Sequence, residues 1–175
     1  MKKKILIIVL LLSSLTLFTL SCQKESAQKP QPQEEIATTI GTANNPTFNL
    51  EVILRGEDGR LGHIKFRQDV NPSKIIVLDT WVRDLAPNHQ YLLQRAVDAA
   101  NVVDGDCTST SWLTLGKGLT PQTIRTNDNG TGSEELWRDV STVASGTAFD
   151  IHFRIVDATT MAVVLASDCY QYVVR

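Results

Sequence analysis

Asp150, His152 and Arg154 are the residues of this chain whose types and spacing come nearest to chemistry. Separated by single residues, they share one face if the segment is a strand. A carboxylate beside an imidazole can orient a general base or supply a pair of metal ligands. The plainer reading is a solvated strand face with alternating charge, and it is preferred. The remaining histidines, His63 and His89, are far away in sequence, and no His-x-His pair occurs. Asp104, Asp106, Glu134 and the Asn127-Asp128-Asn129 run could offer oxygens to calcium. They lack the spacing of a helix-flanked calcium loop, however, and Asp and Asn in polar stretches usually just make turns. No GxSxG, HExxH or phosphate-cradling loop is present. The chain is therefore expected to be non-catalytic, with no catalytic residue, cofactor or resident metal.

Aromatic rings are the other candidates. Trp81 and Trp137 lie in or near expected strands, and if exposed their rings could stack on a sugar or dock a protein. Trp112 is expected in the core. Apart from Cys22 the cysteines are Cys107 and Cys169, and in an exported chain such a pair reads as a disulfide.

The elements that must position these residues read as strands. Residues 47–54 alternate cleanly, with Phe48, Leu50, Val52 and Leu54 on one face. Residues 62–70 repeat the pattern with Ile64 and Phe66 inward. Residues 74–85 place Ile76, Leu78, Thr80 and Val82 on one face and Ile75, Val77 and Trp81 on the other, which suggests cover on both sides. Residues 133–143 fit a strand or a capped helix, and strand is favoured by the Asn129-Gly130 turn before them. Residues 148–156 alternate most clearly, and residues 161–175 read as the last strand. Regular strands without a comparable helical run predict an all-β, antiparallel Greek-key β-sandwich over residues 46–175.

One corner sharpens that expectation. Leu85-x-Pro87-x-x-x-Tyr91 resembles the tyrosine corner of fibronectin type III and related Greek-key sandwiches. The resemblance implies that the Tyr91 hydroxyl bonds backbone a few residues upstream and that residues 91–97 form a strand. A helix is the rival for residues 91–100, because Leu92, Leu93, Ala96, Val97 and Ala100 also fit helical spacing. The architecture implied is immunoglobulin-like or superoxide-dismutase-like, the latter without its histidine-rich metal set.

The first residues supply the address. Lys2, Lys3 and Lys4 precede an apolar run, residues 5–20, which reads as a signal peptide over residues 1–21. Thr19-Leu20-Ser21-Cys22 resembles the bacterial lipobox, with Thr19 where Leu is usual. That resemblance implies lipidation of Cys22. Gln23-Lys24-Glu25 resembles the short charged export tag of Bacteroidetes surface lipoproteins. Together these imply a lipid-anchored outer-membrane protein facing the outside. Residues 22–45 are rich in Gln, Pro and small polar residues and are expected to stay disordered. As a coil this tether would hold the domain on the order of 25 Å from the membrane. Setting aside the three leader lysines leaves 14 basic residues against 19 acidic ones, a net charge of −5. An acidic balance argues against a nucleic-acid partner. The function expected is non-catalytic binding or assembly at the cell surface, with a protein partner first and a glycan, with or without calcium, as the alternative.

Overall fold

The computed structural model describes residues 48–69 and 74–175. The expected signal peptide, Cys22, the tether and the turn at residues 71–73 lie outside them. Every long element is a strand. Phe48–Arg55 (β1) and Leu61–Gln68 (β2) form a hairpin across a 3-10 turn at Glu57–Gly59. Ile75–Arg83 (β3) and Gln90–Val97 (β4) follow. Leu113–Thr114 (β5), Gly116–Lys117 (β6), Thr120–Pro121 (β7) and Thr123–Arg125 (β8) are short pieces. Gly132–Asp139 (β9), Ala148–Asp157 (β10), Val163–Ser167 (β11) and Tyr170–Val173 (β12) complete the chain.

The strands make one curled sheet. Full antiparallel ladders run β1–β2–β3–β9. From the other edge of β1, the order continues through β11 and β10 to β4. β8 pairs with the start of β4, and Thr126 bridges Gly132 at the turn between β8 and β9. That turn brings the two ends of the sheet together. Among the described residues the one parallel contact joins β6 to β9. The domain is thus a nearly closed barrel, not the pair of facing sheets expected from the sequence. A sheet closed on itself buries one face against its own opposite wall and needs no second sheet.

Inward residues of every wall meet in the centre, among them Leu54, Ile64, Phe66, Leu78, Leu136 and Phe153, all at most 2% exposed. Closure is incomplete between β1 and the final strands. The β1–β11 ladder holds only Leu54↔Ser167 and Arg55↔Ala166. Side chains span the rest of that seam. The Ile53 N–H donates to the Tyr170 hydroxyl at 3.1 Å. The buried Gln68 Oε1 accepts from the Tyr172 hydroxyl and, at 2.9 Å, from the Arg175 N–H. Phe48, Phe66 and Tyr172 pack edge to face beside it, with Tyr172 at 5.2 Å from Phe48 and 4.9 Å from Phe66.

Other expectations stand or shift. Tyr91 does form the corner: its hydroxyl accepts the Ala86 N–H at 3.0 Å. Residues 91–97 fall within strand β4, and residues 133–139 within β9, so neither segment is helical. Residues 161–175 hold two strands, β11 and β12, broken around Asp168 and Cys169. The outer face of β3 is half-buried, with no second layer over it among the described residues. Trp112 is outside the core, for reasons given below.

Candidate functional site

Strand parity decides which side chains share a surface. On the outside of the barrel, β2, β3 and β9 stack cross-strand rows. One row is His63–Trp81–Ser133, the next Lys65–Asp79–Glu135, the next Arg67–Val77–Trp137. The sequence therefore places Trp81 and Trp137 on the same open face of adjacent strands. At 3.3–3.4 Å per residue, the four positions from Val77 to Trp81 separate the rows by about 13 Å.

Trp81 is half-buried, with the Arg83 guanidinium 5.8 Å from its ring centroid. It lines a shallow concavity of about 490 Å³ together with His63, Lys65, Asp79, Ser133 and Glu135. Charge is mixed across the face. Arg67 pairs with Asp79, and His63 with Glu51. At its edge Lys117 Nζ lies 2.8 Å from Glu134, whose carboxylate raises the Lys117 pKa. Trp137 is 36% exposed and seats its ring on Gly118, where a Cβ would come within 2.8 Å of the indole. The face thus offers two indoles at its ends, with carboxylates and cations between them. Such a set can stack on sugar rings and hydrogen-bond their hydroxyls.

Asp150, His152 and Arg154 do share the outer face of β10, but as a clasp for the loop before β5. Asp150 is fully buried, and its Oδ2 accepts the N–H groups of Asp104 and Gly105 at 2.9 Å each. His152 Nε2 donates to the Ser109 carbonyl at 3.0 Å. Arg154 donates from Nε to Gln94 at 2.8 Å and lies 3.9 Å over the Trp112 ring. Trp112 is drawn outward by this stacking, with His152 at 4.6 Å on the same ring. That explains why it is half-buried on the barrel wall and not in the interior. The loop is also held by Asp98, which accepts the N–H groups of Thr108 and Ser109. The expected Cys107–Cys169 disulfide ties it to the β11–β12 joint.

The oxygens considered for calcium are engaged separately. Asn127 Oδ1 accepts the N–H groups of Asn129 and Thr131, Asp128 pairs with Asn88, and Asp104 Oδ1 accepts the Asp106 N–H. Among the described residues no three His, Cys, Asp or Glu side chains gather as a metal site. The sequence reading missed a different group. Arg95 and Arg138 point into the barrel, opposite Phe153 and Ile76 respectively. The signal was present in the alternation: Leu93, Arg95 and Val97 share one parity, as do Leu136, Arg138 and Val140.

No family model matches the chain, and neither a curated protein nor a solved structure matches it.

Proposed function

We propose that this chain is an exported, lipid-anchored binding protein of the bacterial outer membrane, facing the cell exterior. The observation that carries the reading is the pairing of Cys107 with Cys169. Such bridges belong with oxidising compartments, and this one supports export independently of the leader. The leader adds the mode of attachment, through acyl chains on Cys22. Several chains on one cysteine anchor firmly, because each buried CH₂ contributes about 0.8 kcal/mol. The domain's role in this reading is to hold another protein or to join a surface assembly. Labelled palmitate should enter the wild-type protein and not Cys22→Ala, and protease added to intact cells should remove the domain. Protection until the cells are lysed would sink the surface placement.

A second reading is favoured by one specific observation, the alignment of Trp81 and Trp137 on the face of β2, β3 and β9. In it the ligand is a glycan. With their rows about 13 Å apart along the strands, the ligand is an extended chain of sugars and not a single residue. Wild-type protein on a glycan array should show binding that Trp81→Ala weakens. A blank array with both proteins would end this reading and leave the protein-partner one standing, to be pursued by pull-down from the native cell surface.

A further inference from the structure

At the end of the barrel where β4 and β9 finish, the interior holds a cavity of about 80 Å³. Its wall is mostly carbon, including Ile76, Leu115, Val140, Phe149 and Ile151. Arg95 and Arg138 line the same cavity. Arg138 donates to the Gly118 carbonyl at 3.2 Å. Arg95 forms no hydrogen bond and no ion pair among the described residues. The acidic neighbour of Arg138, Asp139, lies on the opposite strand face, and its oxygen accepts the Ser141 N–H at 2.7 Å. The Tyr172 hydroxyl at the cavity is committed to Gln68. Among the described residues, two cations thus face one apolar space with no carboxylate between them. Burial, and then the nearby Arg138 charge, lower the Arg95 pKa.

We infer that this cavity binds a small organic carboxylate, its charge received by Arg95 and Arg138 and its carbon body by the apolar wall. A guanidinium presents a planar fork that matches a carboxylate in two parallel hydrogen bonds. Both guanidinium groups are partly buried; desolvating a cation without a counter-ion is costly, and an incoming anion offsets that cost. The carbon lining selects an organic acid over an inorganic anion. Size narrows the class further. Sites for drug-sized ligands run to roughly 300–1,000 Å³, so about 80 Å³ suits a body of a few carbons and excludes a long acyl chain.

The test is an NMR titration of the full chain, purified in detergent, with sodium butanoate, 1-butanol and sodium phosphate in separate arms. Butanoate should shift the amides of Leu93, Arg95 and Phe153 saturably in the millimolar range, and the other two should not. Arg95→Met should weaken butanoate by about tenfold or more, the loss of one charge-assisted contact, and Arg95→Lys by less. Thermal unfolding of Arg95→Met at or above the wild-type temperature would show that the fold survives; should it unfold, Arg138→Met reads the same charge. Absence of saturable shifts with butanoate overturns the inference. So does equal binding of butanol or phosphate, or undiminished affinity in both methionine variants.

Discussion

Single side chains in this domain are mostly employed in pinning loops to a curved wall, and Asp157 shows how that makes stability depend on pH. It is the last residue of β10, where its carboxylate accepts the N–H groups of Thr160 and Thr159 at 2.8 Å each and faces His89 Nε2 at 2.5 Å. Those two backbone bonds first, and His89 after them, hold its pKa down to about 2 from 3.8. As pH falls, the unfolded chain takes up this proton before the folded one does. Between about pH 4 and pH 2 the unfolded state therefore binds more protons, and folding stability declines with acidification. Asp98 and Asp139 are shifted in the same direction by their backbone hydrogen bonds and add to that slope. Urea unfolding across this range should show a shallower acid limb for Asp157→Asn than for wild type. Parallel limbs would mean that this carboxylate does not carry the acid dependence.

At the scale of elements, the turn between β8 and β9 closes the barrel and leaves no room for a side chain at Gly130. Gly130 has φ +70°, and a Cβ there would meet the Leu85 carbonyl oxygen at 2.1 Å. Gly146, in the turn before β10, has φ +86° with nothing within 4 Å of its would-be Cβ. Alanine at either position incurs the left-handed strain, about 1 kcal/mol or somewhat more. Only at Gly130 must it also displace the backbone next to the Tyr91 corner. Gly130→Ala should therefore lower the denaturation midpoint clearly more than Gly146→Ala, and equal losses would refute the collision. The contrast also marks how far the sequence could be read. Period-two alternation exposes each long strand, because one face of every strand is buried, and the spacing of Leu85, Pro87 and Tyr91 exposes the corner. Alternation is silent on what buries that face. A facing sheet and the opposite wall of a barrel demand the same pattern, and the choice rests on distant pairings such as β3 with β9. Trp112 was misjudged for a related reason. Its apolar ring suits the interior, whereas Arg154 and His152, far along the chain, hold it outside. Trp81 and Trp137 were legible as candidates, but their common face follows only from the β3–β9 register. Arg95 and Arg138 lie in plain alternation with apolar neighbours, but inward parity is expected to carry carbon, so the pattern alone does not mark them as a site.

For the molecule as a whole, the Cys107–Cys169 bridge spans 62 residues and fastens the long outer loop to the last strands. Closing a loop of that length in the unfolded chain is worth about 4 kcal/mol in the chain-entropy model. Replacing both cysteines with alanine should lower stability by about that amount in chemical denaturation. It should also shift the tryptophan emission as Trp112 loosens from Arg154. An unchanged midpoint would show that the clasp at Asp150 and His152 suffices without the bond. The seam beside Gln68 carries a different consequence. The Arg175 guanidinium lies 5.6 Å over the Phe48 ring, so the two ends of the described domain sit side by side at one mouth. The β1–β2 ladder starts there with Phe48 against Gln68, and the β10–β12 ladder with Ala148 against Val173. Force drawn through those ends meets each ladder one rung at a time. The strands peel instead of shearing, and the barrel yields to a gentle pull from its mouth while its far walls still hold.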